Sequence, residues 1–450
     1  MPAFFLSMKI RKTEAGKTMH DAELKRLLAE AAEARAAGRL DLAEARFQAV
    51  AAARPDHAGA LNALGMIALA AGRPGEAAER FRAAVAADPE AAPLRLNLAS
   101  AYRRLGDDEA ERAALAAVLE QDQRHLMALI RMAELHERLG EHQMAVHKWG
   151  GVVALGRMLD ERPPGLEEVL RHASDYLSAR NRRLAETLEA GLAGPMAAAS
   201  ALEQRRFTAC MDYMLGRRAI YANQCAGLHY PFLPADEFFD RGHFPWLPAL
   251  EARTAEIRAE AEALLASPDP GLSPYVAMDP GTPQNKWSEL DHSLAWGALH
   301  LWREGQRIDD ACARCPRTAE IVEALPLARI PGRAPTVFFS VLKPRTRLPA
   351  HTGVSNIRTI VHLPLIVPPG CGFRVGGETR EWREGEAFAF DDTIEHEAWN
   401  DSDRLRAVLI LDVWNPHLSE TERALVADFF TVADSSGQDL GERGAVGDAR

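Results

Sequence analysis

The stretch "NIRTIVHLPLIV", residues 356–367, alternates as a strand does. Successive side chains of a strand point to opposite sides, so Arg358, Ile360 and His362 share one face and Thr359, Val361 and Leu363 the other. Polar groups on so apolar a strand need partners. Working outward, "TVFFSVL" (336–342), "GFRVGG" (372–377), "AFAF" (387–390), "HEAWN" (396–400) and "RLRAVLILDVW" (404–414) are short runs rich in β-branched and aromatic residues, separated by Gly, Pro and Asp turns. From residue 335 onward this spacing predicts a compact antiparallel jelly roll.

Two histidines frame the pattern: His351 in "PAHTGVSN" (349–356), at the entrance of the first strand, and His396 in "IEHEAWN" (394–400), after the turn Asp391-Asp392. A mononuclear iron oxygenase commonly follows its first histidine, two residues on, with a carboxylate that completes a two-His-one-carboxylate triad. Here that position is Gly353. The residues alone leave three readings: a metal site short of a ligand, one that never used the carboxylate, or none. Arg406 adds a permanent cation beside the apolar run "AVLILDV", which is costly to bury without an anion. Asp391 and Asp392 read as turn residues at a strand end.

The first third of the chain is different. Glycines at 38, 72, 106 and 140 keep a constant step of 34, and Phe47, Phe81, Leu115 and Trp149 recur in step. This period, with Gly at the turn and Pro55 and Pro89 closing second helices, resembles the tetratricopeptide repeat, whose helix pairs stack to bury a face none can bury alone and leave a concave groove. The expected organisation is an N-terminal tail (1–20), repeats (21–157), a helical bridge (158–224), a jelly-roll domain with flanking helices (225–433), and a disordered tail (434–450). Within the jelly-roll domain, single helices are expected near 248–266 and 306–324.

The net charge of -11 argues against nucleic acid as the main partner, since phosphate binding needs a basic field. Five scattered cysteines suit a reducing compartment, and the lone Cys312-Ala-Arg-Cys315 lacks a second pair at zinc-ribbon spacing. "MPAFFLSMKIRK" has no cleavage-site pattern, and no stretch is apolar for long enough to span a bilayer. The expectation is a cytoplasmic protein without a membrane partner.

From "FFSVLKPRTRLPAHTGVSNIRTIVHLPLIVP" to "WREGEAFAFDDTIEHEAWNDSDRLRAVLILDVWNP", with "FPWLPALE" and "NKWSELDHS…LWREGQR" upstream, the chain resembles the aspartyl/asparaginyl β-hydroxylases, Fe(II)- and 2-oxoglutarate-dependent dioxygenases. The resemblance covers roughly residues 225–430. It implies a double-stranded β-helix, Fe(II) on His351 and His396 with no protein carboxylate, and O2 and 2-oxoglutarate as cosubstrates. It further implies Arg406 and Ser340 at the distal carboxylate of 2-oxoglutarate and His362 at the proximal one, the guanidinium fork suiting two-point carboxylate recognition. Animal members carry an arginine where this chain has Ile360, and Arg358 on the same face is the candidate substitute. The implied product is a β-hydroxylated Asp or Asn in a protein or peptide substrate held by the repeats. Two alternatives stand beside it: a binding scaffold with an inactive jelly roll, and a cupin-type metalloenzyme that does not use 2-oxoglutarate.

Overall fold

The computed structural model describes residues 21–437, which divide into two compact units, one running to Gly194 and one starting at Pro195. In the first, eight helices form four antiparallel pairs: α1 Asp21–Ala36 with α2 Leu40–Ala53, α3 Ala58–Ala70 with α4 Pro74–Ala87, α5 Ala92–Leu105 with α6 Asp108–Gln121, and α7 Leu126–Arg138 with α8 His142–Arg157. Gly38, Gly72, Gly106 and Gly140 each turn the chain at positive φ between partners, a conformation that costs glycine nothing. The in-step residues Phe47, Phe81, Leu115 and Trp149 are all buried. Gly65 is small because the Phe81 ring lies where its Cβ would be. The bridge is helical over α9 Leu166–Ala198 and α10 Ala201–Met214, and the division between the units falls within α9.

The second unit contains two antiparallel sheets. Its strands are β1 Ser273–Pro274, β2 Trp296–Arg303, β3 Gln306–Arg307, β4 Val337–Leu342, β5 Thr346–His351, β6 Arg358–Ile366, β7 Cys371–Val375, β8 Glu378–Glu381, β9 Phe388–Phe390, β10 His396–Asn400 and β11 Arg406–Trp414. The larger sheet runs β1-β2-β4-β11-β6-β9 with β3 beside β2, and the smaller runs β5-β10-β7-β8. One core lies between them, with Phe338, Val408 and Ile410 of the larger sheet against Leu348, Phe373, Val375 and Ala398 of the smaller. The outer face of the larger sheet, through Val361, Leu363, Leu409 and Leu411, packs on α11 Leu247–Glu251, α12 Thr254–Ala266, α13 Asp309–Arg314 and α14 Pro316–Glu323. The alternation read from residues 358–363 therefore holds, with Val361 and Leu363 outward and Ile360 inward.

Several sequence expectations need correction. The sheet begins before residue 335, because "WGALHLWR" is β2, a strand buried on both faces and so lacking a polar period. The single helices expected near 248–266 and 306–324 are each two; Pro316, without an N–H to continue the first of the later pair, opens the second. The first residues of the tail expected from 434 belong to α15 Glu420–Ser435. Its residues 438–450, and the tail over 1–20, lie outside the described residues. Cys312 and Cys315 are buried thiols donating to the carbonyls of Leu301 and Ala311. Among the described residues, no helix is long and apolar enough to cross a membrane.

Candidate active site

His351 ends β5 and His396 begins β10, and the two are register partners. Regular pairing would not achieve this: Ala398 faces Leu348, which would set His396 opposite Ala350. A bulge between His396 and Ala398 shifts the register by one residue and brings both imidazoles to the same side, their centroids 4.1 Å apart. Each ring is oriented from behind by its own backbone. Nδ1–H of His351 donates to the Pro349 carbonyl at 2.7 Å, and that of His396 to the Ile394 carbonyl at 3.0 Å, which leaves both Nε2 lone pairs unprotonated. Burial lowers the pKa of His351 to about 4 and that of His396 well below the ordinary value, so both are neutral and able to bind a metal at physiological pH.

Gly353 leaves no room for a third ligand side chain of its own. A Cβ there would overlap the Asp392 carboxylate, and the Gly353 N–H donates to the Asp392 carbonyl at 2.6 Å. Asp392 is half-buried, with its Oδ1 buried and unpartnered, and desolvation raises its pKa to about 8. Asp391 does cap the turn, accepting from Thr393 and Asn223. Among the described residues no group of three or more His, Cys, Asp or Glu forms a metal cluster. The donor set is therefore two neutral imidazoles, which fits a divalent iron that takes its remaining ligands from water or cosubstrate.

From the histidine pair, a closed circuit of side chains runs across both sheets. The Trp296 ring lies 6.5 Å from His351, and its Nε1 donates to Ser340 Oγ at 3.1 Å. Arg406 Nη1 donates to the same oxygen at 3.4 Å, and its guanidinium carbon lies 4.8 Å from the centre of the Trp382 ring. Trp382 stacks on His362 at 5.4 Å, His362 meets Phe390 at 4.9 Å, and Phe390 meets His396 at 5.3 Å. Five of the six candidate residues, His351, His396, Ser340, His362 and Arg406, thus share one site.

This circuit is short of acceptors. Arg406 is 2% exposed, meets no carboxylate among the described residues, and keeps Nε unpartnered; burial lowers its pKa to about 10, so it remains charged. Trp382 Nε1 and His362 Nδ1 are also buried without partners. Ser340 already receives two N–H donors, so its own hydrogen needs an acceptor. Donors this dense and this deeply buried call for an anionic ligand rich in oxygen.

Arg358 is the exception. It shares the inward face, but its Nη1 bonds Asp412 Oδ2 at 2.9 Å, both side chains nearly buried. A protein carboxylate thus holds its guanidinium. The sequence reading missed Trp287, Trp296, Trp382 and Phe390. Trp287 packs edge-on to His351 at 4.9 Å with Nε1 unpartnered.

Residues 251–416 match the aspartyl/asparaginyl beta-hydroxylase family, and residues 28–92 and 62–125 match the tetratricopeptide repeat. The second unit therefore carries a hydroxylase-family domain, and repeats precede it. The chain is 37% identical over 129 residues to human aspartyl/asparaginyl beta-hydroxylase, covering 28% of this chain and 17% of that protein. It is 33% identical over 193 residues to the ornithine lipid ester-linked acyl 2-hydroxylase of Rhizobium tropici, covering 42% of this chain and 64% of that protein. Human aspartate beta-hydroxylase domain-containing protein 2 is 34% identical over 131 residues, covering 28% of this chain and 36% of that protein. In each case the chain spans less than two thirds of the relative's length.

Proposed function

We propose that this protein is an Fe(II)- and 2-oxoglutarate-dependent dioxygenase built on a double-stranded β-helix. His351 and His396 hold the metal, Arg406 and Ser340 grip the distal carboxylate of 2-oxoglutarate, and His362 stands at the proximal end. One observation carries this reading: a buried guanidinium that meets no carboxylate among the described residues, in the same circuit as two imidazoles whose Nε2 atoms are left open. When bound, iron supplies the activation of O2 that the protein's own groups cannot. The balance is that 2-oxoglutarate, O2 and R–H give succinate, CO2 and R–OH, one oxygen atom going to succinate and one to the product.

This chain's residues bind and orient. The Pro349 and Ile394 carbonyls fix the imidazole tautomers, Ser340 donates its remaining hydrogen to the carboxylate held by Arg406, and the aromatic walls Trp296, Trp382 and Phe390 exclude water. The repeats serve to recruit the acceptor, since stacked repeats offer an extended groove. The family's eponymous acceptor is the β-carbon of Asp or Asn. A second relative is named for hydroxylating an ester-linked acyl chain, and Arg358, which shares a face with Ile360, is ion-paired to Asp412, which favours that kind of acceptor.

The test is anaerobic titration of Fe(II). One equivalent should bind the wild-type chain, and neither His351→Ala nor His396→Ala should retain it while folded. Full iron affinity in either variant rejects the assignment.

A further inference from the structure

Three oxidisable rings run outward from His351. Trp287 meets its imidazole edge-on at 4.9 Å, Trp296 lies 6.0 Å beyond with its plane 28° from that of Trp287, and Tyr275 stacks on Trp296 at 3.8 Å and 22°. Backbone N–H groups hold the order: that of Tyr275 donates to the Trp296 carbonyl at 2.9 Å, and that of Trp287 to Asn285 Oδ1 at 2.8 Å. Trp287 and Trp296 are buried, whereas Tyr275 is half-buried. The series therefore starts at a proposed metal ligand and ends where solvent reaches.

Packing alone does not account for this choice of rings. Trp287 Nε1 is buried with no partner among the described residues, a cost that phenylalanine in its place would not carry. What indole and phenol offer beyond phenyl is an electron that leaves far more readily. The other side of the histidine pair lacks such rings, since the aromatic neighbours of His396 across from His351 are Phe390 at 5.3 Å and Phe373 at 6.1 Å. Trp382 lies farther along, with the Arg406 guanidinium carbon 4.8 Å from its ring centre, and a cation so close opposes loss of an electron from that indole. One side is thus lined with rings that resist oxidation and the other with rings that yield to it.

We infer that Tyr275, Trp296 and Trp287 form an electron relay, which carries reducing equivalents inward to the metal site when no acceptor is seated and so spares the site's own residues from oxidation. This rests on the proposed function and adds a protective activity to it. In such a turnover 2-oxoglutarate, O2, two electrons and two protons give succinate, CO2 and water. The electrons pass one at a time: an indole gives an electron to the metal centre, and Tyr275 refills the indole and releases its phenolic proton to solvent. The tyrosyl radical then takes a hydrogen atom from an external thiol. After two passes two thiols have become one disulfide, and the two phenolic protons released match the two taken up in forming water.

The full chain, loaded with Fe(II) under nitrogen, is first titrated with 2-oxoglutarate; failure to bind rejects the proposed function itself. The loaded protein is then mixed with O2, without acceptor or thiol, frozen at intervals and examined by electron paramagnetic resonance. The wild type should give a radical signal that narrows when the protein is made with ring-deuterated tyrosine. Tyr275→Phe keeps the stack and should keep the 2-oxoglutarate affinity but lose the signal, and Tyr275→Trp should replace it with a tryptophanyl one. Mass-spectrometric mapping after turnover with thiol present should find oxygen added to Trp287 and Trp296 several-fold more often in Tyr275→Phe than in the wild type. If Tyr275→Phe melts far below the wild type, the wild type alone decides: thiol should discharge its signal and lower oxidation of the two tryptophans several-fold. No radical from a chain that binds both iron and 2-oxoglutarate overturns the inference. So does a signal that deuterated tyrosine or the folded Tyr275→Phe leaves unchanged, or tryptophan oxidation that neither thiol nor the variant alters.

Discussion

Replacing Arg406 with methionine should leave the ligand-free protein as stable as before or more so, and should abolish its response to 2-oxoglutarate. The guanidinium is 2% exposed, and its compensation is one 3.4 Å hydrogen bond to Ser340 and the Trp382 ring at 4.8 Å. Burying an ion costs several kcal/mol, against about 2 kcal/mol for a desolvated cation–π contact and about 1.5 to 3 kcal/mol for one charge-assisted hydrogen bond. Those terms nearly cancel, so Arg406→Met, similar in length and uncharged, should change stability by about 0 to +3 kcal/mol. An arginine in a buried protein ion pair would instead cost about 3 to 5 kcal/mol on replacement. Seven of the eight tryptophans follow Pro195, so tryptophan fluorescence reports mainly on the second unit. At a hundred times its dissociation constant, 2-oxoglutarate should stabilise the iron-loaded wild type by about 2.7 kcal/mol, and at about 2 to 4 °C per kcal/mol the melting point should rise by roughly 5 to 11 °C. The variant should show no rise. A variant that melts far below wild type, or one that still responds to 2-oxoglutarate, would refute the reasoning.

Other perturbations follow from the same contacts. Gly353→Ala should cost about 1 to 3 kcal/mol and lower iron affinity, because the added methyl meets the Asp392 carboxylate beside the His351 turn; melting and iron titration check it. Gly65→Ala should destabilise the repeats by about 1 to 3 kcal/mol against the Phe81 ring while leaving 2-oxoglutarate affinity unchanged, read by denaturation and calorimetry. His300 binds a proton at about pH 4 when folded but near 6.5 when unfolded, so the unfolded chain takes up more protons between those values and stability falls as pH drops through them. His300→Phe should remove about 2 to 3 kcal/mol of that loss, measured as the difference in denaturation midpoints at pH 7 and pH 4.5.

What the sequence made legible depended on how local the signal was. β6 and β11 carry enough β-branched residues to be read on their own, and the repeats announce themselves through glycines at a fixed step. β5 was hidden because "TRLPAH" contains a proline and an exposed arginine, and β2 because a strand buried on both faces has no polar period. The two histidines could be paired from their residue types and the resemblance, but the bulge that aims them together is a property of register and leaves no mark in either segment. The aromatic part of the circuit was equally silent. Trp296, Trp382 and Phe390 come from three strands or loops, and what marks the two tryptophans as functional is where their N–H groups end up: one on Ser340, one with no partner. For Arg358, alternation gave the face its side chain shares and not the partner it finds there, which is Asp412.

The central claim is that the two-histidine centre and the Arg406 clamp act together in one oxidative reaction. Succinate formed by the full chain with Fe(II) and 2-oxoglutarate, measured with and without O2, tests it most directly. The account expects oxygen-dependent succinate in the wild type and none in folded His351→Ala, His396→Ala or Arg406→Met. Succinate undiminished in any of the three, or none from a wild type shown to bind both iron and 2-oxoglutarate, would contradict it.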